Sequence, residues 1–330
     1  MSSRARLLVQ VMAAVASLVL ADQIARHLGL ARAAGLLCLT SLATLVIGAR
    51  LGWRQALLGV LGLTLLAIPA ALSHGDPVLA TLVMTFTAFG LGLSARWQLQ
   101  QVYYLMIVSL CLLITNTPLT QGSSALSVLR LAGSVLMSGA FTILLQRWLV
   151  PRDPDKVPVA LFPVAHSWRR STAYGALLAS TTLVTTPLAL QQHWHVSGLW
   201  LILVPFMVLR PFVRDSWKVA LHRSLGTVAG VLLVVLLAFI LPKGLPLQVP
   251  AIVLAVVTVL IAIKRGHPAV MLMAYTATIV LFDSQSADLL LMADERLQAN
   301  LMGVAITLAA MAIAHPIEQR MQLKQVREAG

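Results

Sequence analysis

The sequence predicts an all-α, polytopic membrane protein with about 12 transmembrane helices arranged as two parallel six-helix repeats. Three observations carry this prediction. Of 330 residues, 59% are hydrophobic and 11% charged, with a mean hydropathy of +0.88; a soluble chain carries about 25% charged residues, so water is not the main solvent. The apolar residues fall in runs of membrane-crossing length. The first half of the chain also recurs in the second.

The apolar runs set the elements, because about 20 residues of helix cross about 30 Å of hydrocarbon. In the first half they lie near 7–26, 30–49, 55–73, 77–95, 100–117 and 125–148. The second half gives 171–190, 196–213, 219–241, 247–263, 268–283 and 296–315. Turn chemistry separates them: Ser73-His74-Gly75-Asp76-Pro77, Asn116-Thr117-Pro118, Pro242-Lys243-Gly244 and Asp283-Ser284-Gln285-Ser286. Pro69, Pro187 and Pro205 fall inside runs and are expected to kink or interrupt their helices.

The recurrence is read from bases and aromatics. Arg50-Leu51-Gly52-Trp53-Arg54-Gln55-Ala56-Leu57 aligns with Arg214-Asp215-Ser216-Trp217-Lys218-Val219-Ala220-Leu221, an offset of 164 that Arg6 and Arg170 share. Arg130-Leu131 and Arg296-Leu297 match at 166. A fixed period signals duplicated architecture. The repeats are expected at 1–150 and 169–330, joined by a polar, proline-rich cytoplasmic linker at 151–168. Because each repeat has an even number of helices, both insert with the same orientation. Arg6 pairs with Arg170 in the repeat, so 7–26 reads as a retained first helix, not a cleaved signal segment.

Charge fixes the orientation. With the N-terminus inside, only Arg26, Arg32, Arg130, Lys243 and Arg296 of the 24 Lys and Arg residues fall on the outer side. The positive-inside rule then puts both termini in the cytoplasm and makes the anionic headgroups of the lipid bilayer the partner of the +13 net charge. No soluble basic domain or aromatic platform accompanies that charge, which argues against nucleic acid.

No enzyme is expected. The sequence has no His-Glu-x-x-His, no Cys-x-x-Cys and no Gly-Lys-Ser/Thr loop, so neither a metal nor another cofactor is implied. Cys38 and Cys111 read as packing residues, and His193-x-His195 as a loop feature. Asp22, Asp283 and Asp288 fall near helix ends and read as interfacial. Thr181, Thr182, Thr185 and Thr186 bond within their helix or line a polar path.

The most specific local pattern follows the Trp200 run, which ends at Val208-Leu209-Arg210-Pro211. Arg223-Ser224-Leu225-Gly226-Thr227-Val228-Ala229-Gly230 then opens a long aliphatic helix. Gly226 and Gly230 stand four apart, a spacing that lets helix backbones approach closely. In the first half, Gly59 and Gly62 align with Arg223 and Gly226, and Leu63 replaces Thr227.

This arrangement resembles the FUSC (fusaric acid resistance-like) family, which includes aromatic acid exporters. The shared pattern is a Trp-led helix, a basic loop, then Arg-x-x-Gly-Thr-x-x-Gly, matched by Arg223, Gly226, Thr227 and Gly230; Glu295-Arg296-Leu297 through Gly303 and Pro316 resembles the closing helix. The clear resemblance covers roughly 170–320. It implies a bacterial inner-membrane exporter of small organic, above all aromatic, carboxylic acids, acting in an efflux system beside a periplasmic adaptor; a homo-oligomer is a further expectation. The expected path for the anion runs from Arg210, Arg214, Lys218, Arg223 and Thr227 at the cytoplasmic mouth to Arg130 and Arg296 at the outer ends of their helices, with Asp294 and Glu295 beside Arg296. A non-transporting scaffold or assembly subunit, or a passive organic-anion channel, is the alternative.

Overall fold

Long apolar runs punctuated by Gly and Pro give helices, and every described element of the computed structural model is helical. It describes residues 3–329 apart from 98, 117, 120–123, 150–166, 193–196, 212, 241–247, 264–266 and 284–288. The expected linker therefore lies outside the described residues save Ser167 and Trp168, as does His193-x-His195. The same holds for Asp288 and for the side chains of Arg214 and Asp283.

Twelve α-helices are described: α1 (Ser3–His27), α2 (Ala34–Leu51), α3 (Trp53–Leu72), α4 (Pro77–Leu93), α5 (Gln100–Thr115), α6 (Ala125–Leu149), α7 (Trp168–Gln191), α8 (Gly198–Val208), α9 (Val213–Ile240), α10 (Gln248–Ile263), α11 (Pro268–Asp283) and α12 (Leu289–Ala329). Each answers one of the apolar runs. Among the described residues six segments are long and apolar enough to cross a membrane: Trp53–Leu72, Pro77–Trp97, Ala125–Trp148, Trp168–Gln191, Asp215–Ile240 and Leu289–Pro316. Helix α8, expected over 196–213, stops after 11 residues. Leu209 is extended (φ −65°, ψ 135°), and the Arg210-Pro211 pair that follows disfavours helical backbone. Pro69, Pro187 and Pro205 all lie within continuous helix, as does Pro316.

The chain divides into two compact units, Met1–Ala179 and Ser180–Gly330, and the division falls inside α7. In the first unit, the turn expected at Ser73–Pro77 is built as its residues require. Gly75 takes φ 84°, Asp76 Oδ1 accepts from the backbone N–H of Val78 and Leu79 (2.9 and 3.1 Å), and Pro77 fills the first helical position of α4. Helices α2 and α6 run parallel along a seam of hydroxyls. Ser138 donates to the Leu37 carbonyl (3.2 Å) and lies 2.7 Å from Ser41, and Gln146 donates to the Leu45 carbonyl (3.2 Å). Gly59 packs on Tyr103 of α5 and Gly139 on Val60 of α3.

The second unit pairs its helices with different chemistry. Helix α8 is buried at every position except Met207, so it is enclosed by its neighbours. It runs parallel to α12: Trp200 meets Arg296, and Val204 meets Gly303 further along both. Helices α9 and α11 are also parallel, with Gly226 against Ala269 and Leu272, and Gly230 against Met273 and Thr276. By contrast, α9 and α12 are antiparallel. Ala220 clusters with Val304, Arg223 bonds Asn300, and Val231 and Val234 cluster with Met292 and Ala293.

The glycine contacts make a testable difference between the units. A Cβ on Gly226 would lie 2.6 Å from Leu272 Cβ and 2.9 Å from the Ala269 carbonyl, whereas one on Gly62 meets nothing within 4 Å. Gly226→Ala is therefore expected to cost about 1–3 kcal/mol of overpacking. Gly62→Ala, at the position the repeat aligns with it, should leave thermal unfolding in detergent within a degree or two of the parent, by about the ±0.5 kcal/mol typical of such sites.

Candidate functional site

In unit 2 the sequence places two arginines inside helices of membrane-crossing length, and the fold buries both, one helical turn apart along α12. Arg223 lies ten residues into α9, about 15 Å from its start at 1.5 Å per residue. Asn300 lies eleven residues into α12, about 16 Å from its start. The helices are antiparallel, so the two residues meet well inside both helices and at neither end. Both side chains are inside: Arg223 is 4% exposed, Arg296 3% and Asn300 2%.

The contacts are specific. Arg223 Nη2 donates to Asn300 Oδ1 at 2.8 Å, and Nη1 points at the Met207 sulfur at 3.1 Å. Asn300 Nδ2 in turn donates to the Arg296 carbonyl one turn back, at 2.9 Å, which fixes the amide so that its oxygen faces Arg223. The Arg296 guanidinium lies flat over the Trp200 indole, with Cζ 3.2 Å from the ring centroid, and the Trp200 ring makes an edge contact with Tyr275 of α11. A cation on an aromatic face is worth about 2 kcal/mol or more once desolvated.

Further polar groups are buried near these residues and beyond them along the bundle, Ser216 among them. Thr227 and Thr276 are buried, Thr307 bonds the Gly303 carbonyl, and Glu295 is 7% exposed. Toward one end the layer is closed by Val204, Val208, Ala220 and Val304. Toward the other lie Val231, Val234, Ala251, Ala277, Val280, Leu281, Met292 and Ala293. A layer bearing two permanent cations thus sits between two apolar plugs. Such a layer can receive an anion, and nothing of that charge can pass it without a change in the plugs.

The residues singled out in sequence land in different places. Arg223, expected at the cytoplasmic edge, and Arg296, expected at the outer end of its helix, share the buried layer, because α9 and α12 antiparallel put position 223 beside 300. Thr227 is buried one turn above Arg223 on α9. Arg210 is half-buried beyond the end of α8, its backbone N–H donating to Ser216 Oγ at 2.8 Å. Lys218 is exposed, and Arg214's side chain is outside the described residues. Arg130 is exposed on α6 of the other unit, so the symmetric pair expected with Arg296 has two unlike environments. Asp294 is exposed and accepts from Gln298 (2.7 Å), and Asp22 pairs with Arg26 (2.7 Å). Gly226 and Gly230 lie where α9 meets α11. Thr181, Thr182, Thr185 and Thr186 are all buried. Among the described residues no group of three His, Cys, Asp or Glu could hold a metal.

Two members of the layer escaped the sequence reading. Trp200 was only the opening of an apolar run, and Asn300 carried no motif. The available signal was spacing: Arg296, Asn300 and Gly303 lie on one face of α12, and a helix in lipid keeps Arg and Asn on one face only where something meets them.

Six helices of membrane-crossing length in an all-helical fold mark a multi-pass membrane protein. Residues 183–310 match the family described as fusaric acid resistance protein-like, which supports the FUSC resemblance and the transporter class; the match takes in the end of α7, α8 and the whole layer. No curated protein and no solved structure matches the chain.

The layer's contacts lead to a stability prediction. Asn300→Leu removes the acceptor that holds Arg223, and hydrogen bonds to charged groups contribute about 1.5–3 kcal/mol, so thermal unfolding in detergent should shift down accordingly. Lys218→Leu, at an exposed site, should stay within about 0.5 kcal/mol of the parent.

Proposed function

We propose that the chain is the membrane subunit of a bacterial inner-membrane efflux system that exports small organic acid anions, aromatic carboxylates in particular. The observation that carries this reading is that Arg223 and Arg296 are both buried inside a bundle of membrane-crossing helices, joined through Asn300. Ionisable residues at such depth are costly and, when kept, mark ion or substrate pathways. Guanidinium groups match carboxylates in geometry and stay charged at any physiological pH. The match to the fusaric acid resistance-like family over 183–310 points the same way.

The anion is drawn to the basic side by Arg210, Arg214 and Lys218, binds between Arg223 and Arg296, and leaves past the second plug. Apolar closure on both sides of the layer favours alternating access over an open passive pore. The descent from a duplicated six-helix unit is supported by like pairings within each half: α2 with α6 and α8 with α12 are parallel, and α3–α5 and α9–α11 both pack through glycine. A carrier of this kind would have both termini in the cytoplasm and would hand its substrate to a periplasmic adaptor.

Proteoliposomes loaded with radiolabelled benzoate test the reading. Arg223→Gln and Arg296→Gln should each slow benzoate efflux by about 10-fold or more, equivalent to about 1.4 kcal/mol of lost anion stabilisation, while Lys218→Gln stays within about twofold. Benzoate efflux at the parent rate from both arginine variants would remove the layer from the mechanism. No efflux from parent liposomes would favour a scaffold.

A further inference from the structure

In unit 1, helices α3, α4 and α5 leave an open-sided groove of about 370 Å³. That is within the range of about 300–1,000 Å³ typical of ligand sites. Its walls include Gly59, Gly62, Phe86, Gly90, Tyr103 and Met106, and no charged side chain lines it. Glycine creates the space: a Cβ added at Gly62 or Gly90 would meet nothing within 4 Å. In unit 2 the position aligned with Gly62 is Gly226, and there Leu272 fills the gap. The groove opens sideways past Leu58 and Phe86, 59% and 72% exposed, on the face where Leu61 and Leu65 are also exposed.

One end of this groove is basic and aromatic. Arg54 lies one helical turn before Leu58, and the guanidiniums of Arg54 and Arg147 flank the same Trp53 indole at 5.6 and 5.4 Å. Two residues past Ser94, which lines the groove, Arg96 covers Trp168 at 4.5 Å, and Trp168 meets Trp97 edge-on at 5.5 Å. Arginines and indoles gathered at one end of an apolar slot match an amphiphile with one anionic head and a long apolar tail. Basic pockets at helix ends hold anionic headgroups, and aromatic belts sit at headgroup level.

We propose that this groove is a binding site for one anionic phospholipid, with an acyl chain along α3, α4 and α5 and the phosphate on the guanidiniums of Arg54, Arg147 and Arg96. The site is independent of the anion layer in unit 2. An uncharged lining with cations at one end only excludes a symmetric apolar partner such as a second copy of the same face, which would leave three like charges facing their copies.

Native mass spectrometry of the full chain in detergent tests this, using dioleoyl phosphatidylglycerol and dioleoyl phosphatidylcholine. The parent should retain one phosphatidylglycerol at about 10-fold lower lipid concentration than phosphatidylcholine. Gly62→Leu and Gly90→Leu fill the slot without touching the backbone and should each weaken retention of both lipids by about 10-fold, with thermal unfolding confirming the fold. Two walls are probed, so a folding failure at one leaves the other. The double variant Arg54→Gln, Arg147→Gln should bind the two lipids alike. Equal retention of both lipids by the parent overturns the proposal. So does full phosphatidylglycerol retention by a folded slot-filled variant, or a lipid-independent dimer lost on filling the slot.

Discussion

The bond from Arg223 to Asn300 is the constraint on which unit 2 depends. It ties α9 to α12, and the second half of the same amide ties Asn300 to its own helix at the Arg296 carbonyl. Arg296 then lies on Trp200 and so holds α8 against α12. Two cations buried in a bundle cost several kcal/mol each unless their surroundings compensate. An amide, a thioether and an indole contribute part of that compensation with neutral groups. A carboxylate arriving at the layer would bond to either guanidinium more strongly than these neutral partners do.

The two halves of the chain show how one architecture carries different chemistry. In unit 1 the seam between the parallel helices α2 and α6 is Ser41, Ser138 and Gln146, neutral groups that satisfy one another and neighbouring carbonyls. Its counterpart between α8 and α12 holds an arginine stacked on an indole. In the alignment of the two halves expected from the sequence, Gly59 stands opposite Arg223, and it packs on Tyr103 and Met106. The buried arginines Arg223 and Arg296 both lie within 183–310, the residues that match the family.

Much of the helix set was legible in the sequence, because run length and turn residues act locally. Asp76-Pro77 capped α4 where the pattern put it, and Arg210-Pro211 was in view, although its effect was a stop at Val208 that the apolar run concealed. The site was legible only in part. Arg223 and Arg296 stood out as charges in apolar runs. The contact of Arg223 with Asn300 arises from antiparallel packing of residues 77 apart in sequence, which no local spacing encodes. Asn300 carried no motif and Trp200 stood only at the head of its helix, since each acquires its contact from the neighbouring helix.

Titration calorimetry of benzoate into the purified chain and into its Asn300→Asp variant tests the central claim most directly. The aspartate would sit where an amide oxygen now lies 2.8 Å from Arg223, placing a permanent intramolecular anion in the layer. If the layer is the anion site, the variant keeps or gains thermal stability while benzoate affinity falls by about 100-fold, or about 2.7 kcal/mol. Benzoate binding of unchanged affinity in a folded Asn300→Asp protein would contradict it.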